Sequence, residues 1–265
     1  MTIRQHIKYW LYNSCPGFKG AFPYFRTNLY FPPGSLSFKA VCQQGIYEAE
    51  NVRILQALAH PRSTVFDVGA NIGLMAVPLL QCLPEIQVVS FEPSPNTLPY
   101  LRRSRSESAF KERWTIVEKA VGTSVGEVVF NLSNPSDSLF DGVLATGRVP
   151  STGSVKVELT TIDQVWRELG QPTVSVIKCD IEGGESAMLD GAEQCISTCR
   201  PSLLLEWNPD NLAAYGIPSS RLLSYAESHD YYVYSVPSLV RVTTPGELQM
   251  QMAFTENFLL RAKEL

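Results

Sequence analysis

The sequence predicts an α/β domain in which helices cover both faces of a largely parallel sheet, preceded by a short N-terminal extension. Three observations carry that expectation. From residue 47 onward, short β-rich runs alternate with runs whose apolar residues are spaced helically, the pattern of right-handed βαβ crossovers. A glycine-bearing turn, Gly69 to Gly73, follows the first of these strands. The composition, 45% apolar and 18% charged over 265 residues, suits one globular domain with a sizeable core.

Residues 1–46 are set apart from the main domain, 47–265, by composition. Eleven aromatic residues fall between Tyr9 and Tyr47, together with Pro16, Pro23, Pro32 and Pro33. The prolines remove backbone donors and break helical phase, so no single long helix is expected there. The aromatics either pack the segment onto the main domain or form an irregular lid or a homodimer contact.

The main domain opens with a helix from Glu48 to Ala59, stopped by His60-Pro61. Ser63 to Val68 is the first strand, and Leu74 to Leu83 a buried helix in which Pro78 requires a kink or a late start. Val88 to Phe91 is a strand, Asn96 to Ser106 a helix, and Trp114 to Val121 a third strand. Val125 to Leu132 and Val155 to Leu159 read as further strands around a polar loop. The alternation resumes with helices at Ile162 to Glu168, Glu185 to Cys195 and Ser219 to Ser228, and with strands at Val174 to Cys179 and Ser202 to Trp207. Tyr231 to Val236 and Ala253 to Leu260 read as a closing hairpin-like pair.

In such a sheet, ligands bind beyond the carboxyl ends of the strands. There the sequence reads Val65-Phe66-Asp67-Val68-Gly69-Ala70-Asn71-Ile72-Gly73, with Glu92-Pro93 closing the next strand. Gly69 and Gly73 let the backbone turn sharply beside a nucleotide, and Asn71 tolerates a left-handed conformation. Glu92 is placed to accept both ribose hydroxyls. The G-x-x-x-G spacing does not supply the pyrophosphate cradle of a G-x-G-x-x-G turn, which disfavours a nicotinamide dinucleotide. Asp67 instead suits a ligand carrying an ammonium and a sulfonium, which favours S-adenosylmethionine.

These residues resemble the FkbM-type S-adenosylmethionine-dependent methyltransferases. The resemblance rests on Tyr47-Glu48, Phe66 to Gly73, Phe91-Glu92-Pro93, Ala120-Val121-Gly122 and Thr161-Ile162-Asp163, then on Ile177 to Glu185 and Leu205-Glu206. It implies a class I methyltransferase (Rossmann-like) fold, a seven-stranded sheet whose last strand is antiparallel, and commonly O-methylation of a sugar or natural-product hydroxyl. The methyl donor would become S-adenosylhomocysteine. Glu48, Asp67, Gly69, Ala70, Asn71, Gly73, Glu92, Pro93, Ala120 and Asp180 are the expected cofactor-binding residues. Pro78, Pro99 and Gly184 depart from the family pattern.

The electrophile is preformed in a sulfonium methyl, so catalysis consists mainly of aligning the acceptor in line and removing its proton. Asp180 and Glu182 stand at i and i+2 after a strand, where continued extension would project both to one face, and Glu206 ends the neighbouring strand. Mutual repulsion in such a trio raises at least one pKa. Asp180, Glu182 and Glu206 are therefore the catalytic candidates, with Glu182 as the general base. The alternative for Glu182 and Glu185 is a helix-capping role, with Lys178 neutralising a neighbour. The same acids could hold magnesium, but no second cluster or histidine supports it, and no metal is expected.

A net charge of -4 makes a nucleic-acid partner unexpected, because that affinity rests on clustered Lys and Arg. Nor does Asp180-Ile181-Glu182-Gly183 match the aromatic loop that holds a flipped base. Six cysteines without C-x-x-C pairs, and a start interrupted by Arg4, His6 and Lys8, suggest reduced thiols and a cytoplasmic location. No run of roughly 18 apolar residues occurs, so membrane association would need a device other than a spanning helix. The expected partner is a small acceptor, a sugar or glycoside. Methylation of nitrogen or carboxyl, or a non-catalytic cofactor-binding interaction role, are the alternatives.

Overall fold

The computed structural model describes residues 1–15 and 20–263. Pro16, one of the four phase-breaking prolines, lies outside the described residues. The N-terminal extension is built of ordered pieces: helix α1 (Ile3–Ser14), the antiparallel pair β1 (Ala21–Tyr24) and β2 (Thr27–Tyr30), and helix α2 (Leu36–Gln44). Among the described residues its aromatics turn inward, apart from Trp10, which is 60% exposed. Phe31 stacks on Phe38 at 4.1 Å between ring centroids, and Phe22 meets Phe38 at 4.7 Å. These rings belong to the same buried cluster as Ile72, Leu74 and Val77 of the main domain, so they pack the extension onto it.

Helix α3 (Ala49–Leu58) leads into β3 (Thr64–Val68), α4 (Ala76–Cys82), β4 (Gln87–Phe91), α5 (Leu98–Ser106) and β5 (Trp114–Val117). Pro78 falls in the first turn of α4, and Pro99 in that of α5, where an N–H has no helical acceptor to lose. The chain continues through β6 (Ala120–Val121), β7 (Gly126–Leu132), β8 (Gly153–Thr160), α6 (Ile162–Glu168), β9 (Val174–Cys179), α7 (Glu185–Asp190) and α8 (Glu193–Cys199). It closes with β10 (Ser202–Glu206), α9 (Pro209–Tyr215), α10 (Arg221–Ser228), β11 (Tyr231–Ser235), β12 (Arg241–Val242), α11 (Pro245–Met252) and β13 (Asn257–Ala262).

The central sheet runs β12-β11-β13-β10-β9-β3-β4-β5. Strand β13 is antiparallel to β10 and β11, while β10, β9, β3, β4 and β5 are mutually parallel. The resemblance implied seven strands; the short edge strand β12 makes eight. All residues of β3 and β9 are buried, as central parallel strands covered on both faces require. The sheet is Rossmann-like, mixed and mostly parallel, as the resemblance implied.

Several elements depart from the sequence expectation. The run Trp114 to Val121 is not one strand: it leaves the main sheet at Glu118-Lys119, which ion-pair with Arg102 and Glu158, and Ala120-Val121 joins β7 and β8 in a separate three-stranded sheet. The expected helix Glu185 to Cys195 breaks at Gly191. There a Cβ would lie 2.1 Å from the Gly122 carbonyl oxygen, and the Asp163 carboxylate caps a new helix by accepting from the N–H groups of Gln194 (2.9 Å) and Cys195 (2.8 Å). The closing strands are no hairpin, because β12 and α11 intervene, and α11 delays the last strand to Asn257.

Candidate active site

The site grows from the turn after β3. Gly69 has φ of +80°, and an added Cβ would stand 1.8 Å from the Asp180 carbonyl oxygen, so the turn presses directly against the end of β9. Beyond it Asn71 also takes a left-handed φ of 49°. Its backbone N–H donates to Glu92 at the end of β4 (2.8 Å), and Ser94 N–H donates to the other oxygen (2.8 Å). Burial pushes the Glu92 carboxyl up to about 7 against those two donors.

A cavity opens over this edge. Glu48, Gly69, Ala70, Asn71, Glu92 and Pro93 line it on the β3–β4 side. Ala120, Asp180, Glu182 and Glu206 line it elsewhere, so ten of the twelve expected site residues meet at one place. The other two lie behind the wall. Gly73, at φ +93°, lets the turn pack on the Trp114 ring, 2.7 Å from where its Cβ would be. Asp67 sits beneath the floor, 1% exposed, with neither carboxylate oxygen hydrogen-bonded. Burial raises it to about 6, although Lys178 opposes the rise.

The three acids expected to converge do so: single oxygens of Asp180, Glu182 and Glu206 lie within 4.8 Å of one another. The route differs from the expected one. Strand β9 ends at Cys179 and Glu182 adopts a left-handed φ of 56°, so the pair is brought together by a turn rather than by strand alternation. Nor does Glu182 cap a helix. Glu185, the first residue of α7, does not cap it either: it accepts from the N–H of Ile181 (2.8 Å) and Gly183 (3.3 Å) and so fastens the turn that precedes the helix. Glu182 instead accepts from Arg148 Nη1 (2.9 Å) and Asn211 Nδ2 (3.1 Å), and burial followed by the Asp180 charge raises it to about 7. Glu206 accepts from the same amide (3.2 Å) and is pushed further up by burial and by the Asp180 and Glu182 charges, a direction that favours its protonated form. The spacing would admit a divalent cation; Arg148 and Asn211 supply the compensating donors within the chain.

Opposite the trio, Lys178 Nζ reaches Asp180 Oδ2 (3.2 Å) and the Gly69 carbonyl (3.4 Å). Burial alone would lower its pKa, but Asp180, Asp67 and Glu48 together hold it above the ordinary value. Glu48 carries a left-handed φ of 44° and accepts from Asn51 (2.8 Å), an amide also shared with Asn257 on β13 (3.1 Å). Three non-glycine residues with positive φ, Glu48, Asn71 and Glu182, thus stand on the cavity wall, the kind of stored backbone strain that collects at functional sites.

Sequence reading passes over Arg148 and Asn211, and in the Asn131 to Gly142 loop, which it offers as a border of the acceptor or a solvated connection, it marks Asp137 and Ser138 but not Asp141. Arg148 lies in the long connection between β7 and β8, where nothing in the local pattern marks it. Asn211 was detectable in principle, because Asn208-Pro209-Asp210 is a helix-start signature, and Asn208 does cap α9 through the N–H groups of Asp210 and Asn211. Asp141 accepts from Ser94 (2.6 Å), Asn96 (3.0 Å) and Ser133 (2.7 Å from its N–H), tying that connection to the β4–α5 loop. Ser138, Leu139 and Val143 thereby become part of the cavity wall.

The residues fit the cofactor that the sequence suggests. Glu92 engages one N–H at each oxygen and keeps acceptor capacity toward the cavity for a ribose diol. Seven acids line the cavity (Glu48, Glu92, Asp141, Asp180, Glu182, Glu206 and Glu256) against Lys119, Arg148 and Lys178, a surplus of carboxyl groups that suits a cationic ligand.

Known proteins resemble this chain in sequence. The 2-O-methyltransferase NoeI of Sinorhizobium fredii is 24% identical over 190 residues, which is 67% of this chain and 76% of that protein. The hexuronic acid methyltransferase AglP of Haloferax volcanii is 28% identical over 153 residues, 57% of this chain and 59% of that one, so the match spans under two thirds of its length. A crystal structure of an FkbM methyltransferase from Methylobacillus flagellatus KT aligns over 84% of this chain and 53% of that one, with 19% identity and a TM-score of 0.46. The model of the Methyltransferase FkbM domain matches residues 67–232, from the buried aspartate of β3 to the second residue of β11, and takes in the turn, Glu92 and the acid trio alike. With more than half of its length inside that match, the chain belongs to the FkbM family of S-adenosylmethionine-dependent methyltransferases.

Proposed function

We propose that this methyltransferase acts on oxygen, methylating a hydroxyl of a sugar or small natural product, with Glu182 as the base. The observation that carries the reading is Glu182 itself: a buried carboxylate on the cavity wall, raised to about 7 and oriented by Arg148 and Asn211. A general base works best when its pKa lies near the operating pH, and it must approach the hydroxyl to within about 3 Å. S-adenosylmethionine supplies an electrophilic methyl on its sulfonium. Asp180, on the same wall and paired to Lys178, positions the acceptor hydroxyl, and Glu182 takes its proton. Protonated Glu206 beside them is a donor that can hold a second sugar oxygen. Ser138, Leu139 and Val143 of the β7–β8 connection complete the wall around them. The names of the two relatives, one for 2-O-methylation and one for hexuronic acid, support this acceptor class.

The test is incubation with methyl-labelled donor and a panel of hexoses, hexuronic acids and their glycosides, followed by mass spectrometry. Label retained on a sugar hydroxyl through alkaline hydrolysis is expected. Label found only on nitrogen or as an alkali-labile carboxyl ester would overturn the reading. Glu182→Gln should keep S-adenosylhomocysteine binding and lose turnover by about two to four orders of magnitude, the usual contribution of a general base. Full biological activity in that variant would favour the non-catalytic alternative.

A further inference from the structure

Helix α1 carries its apolar residues on two sides. The inner side is already satisfied: Tyr9 stacks on Phe38 at 5.8 Å, Tyr12 meets the same ring edge-on at 6.1 Å, and Asn13 accepts from Gly34 N–H at 2.9 Å. On the outer side Ile3, Ile7 and Trp10 stand at i, i+4 and i+7, one continuous stripe, and are 81%, 58% and 60% exposed. Arg4 and Lys8 each follow an isoleucine of the stripe, so a basic row runs along its flank.

Charge distribution points the same way. Residues 1–47 contain five Lys and Arg and no Asp or Glu; the first acid in the chain is Glu48. The extension carries a formal charge of +5 and the remainder -9. A stripe of Ile and Trp beside basic residues is the pattern of a helix that lies in a membrane interface. At 12 residues α1 is about 18 Å long, short of the roughly 30 Å needed to span, and no helix of the described residues is long and apolar enough to cross a membrane. Self-association through this face would oppose identical basic rows across a two-fold axis, which like charges disfavour.

We propose that α1 docks the protein on an anionic lipid surface, with Ile3, Ile7 and Trp10 entering the headgroup boundary and Arg4 and Lys8 meeting lipid phosphates. The contacts of Tyr9 and Tyr12 clamp α1 to α2, that of Asn13 ties it to the turn before α2, and Ser37 of α2 lines the cavity, so docking would set the cavity at a fixed position beside the bilayer.

The chain provides its own reporter. Trp114, Trp166 and Trp207 are buried, so Trp10 is the one exposed tryptophan, and a change in emission on docking reads this helix. Full-length protein is titrated with vesicles of phosphatidylcholine alone and of equal parts phosphatidylcholine and phosphatidylglycerol, with co-sedimentation in parallel. Expected are a blue shift and sedimentation with the mixed vesicles, weakened by salt. Trp10→Ser should weaken sedimentation about tenfold or more, and Arg4→Gln or Lys8→Gln about fivefold each. S-adenosylhomocysteine binding should be unchanged in all three variants, which shows that each has folded. No shift and no sedimentation, or equal binding to both vesicle types, would overturn the proposal. So would a solution dimer that Trp10→Ser dissociates while neither protein binds vesicles.

Discussion

Replacing Asp67 by Asn should make the stability gap between variant and wild type depend on pH. The carboxylate is 1% exposed, neither oxygen has a hydrogen-bond partner, and burial raises it from 3.8 to about 6. The folded chain therefore keeps the proton to higher pH than the unfolded chain does. Stability from this group is fully present below 3.8 and is lost as pH rises through about 6. At about 1.4 kcal/mol per pH unit, the loss is about 3 kcal/mol. Asparagine does not titrate. Its buried amide carries a cost of its own, about 1–3 kcal/mol, but that cost is the same at every pH. The difference between the two proteins should thus move by about 3 kcal/mol in favour of Asp67→Asn between about pH 3 and pH 8, or about 6–12 °C in Tm. The assay is thermal unfolding of ligand-free protein across that range. S-adenosylmethionine should narrow the gap more than S-adenosylhomocysteine, because only the former carries the sulfonium charge that favours the carboxylate. Two curves that stay parallel in pH would refute the reasoning, since they would mean that the carboxylate is solvated in the fold.

Two further substitutions probe the wall. Arg148→Ala removes the charge that holds Glu182 down, so the rising limb of kcat/KM against pH, expected near 7 in the wild type, should move up by about one pH unit or more; an unmoved limb would exclude Glu182 as the titrating base. Gly69→Ala forces a Cβ to within 1.8 Å of the Asp180 carbonyl at a φ of +80°, and should cost more than about 2 kcal/mol in unfolding free energy while weakening S-adenosylhomocysteine binding in a calorimetric titration. Wild-type values in both measurements would show that the turn can relax away from β9.

Much of the fold was legible because it is written in local periodicity. Strands β3, β9 and β10 are short apolar runs bounded by turn residues, and each was placed within a residue of its observed limits. The failures occur where long-range contacts decide. Gly191 inside Glu185 to Cys195 looks like a tolerable helical glycine until the Gly122 carbonyl is brought against it, and the second helix begins because Asp163, from another element, supplies its cap. Helix α11 was missed for a different reason: Thr244-Pro245-Gly246-Glu247 is a complete capping box, but the polar residues after it hide the helical period that would have drawn attention to it.

The acid trio shows how a site can be located by reasoning whose geometry is incorrect. Strand alternation would have put Asp180 and Glu182 on one face only if the chain stayed extended, yet any route that keeps both residues at the carboxyl edge of β9 leaves them within a few ångströms of β10 and Glu206. Edge position therefore predicts convergence robustly, whereas side-chain direction depends on the turn. What the turn adds is selectivity among the three acids. The left-handed residue at 182 points its carboxylate at Arg148 and Asn211, while Glu206 accepts from the shared amide and feels Arg148 only through space, against the negative charge of its neighbours. The proposed division between Glu182 as base and Glu206 as donor is not encoded by sequence spacing, because it depends on which of the two carboxylates the arginine of the β7–β8 connection hydrogen-bonds.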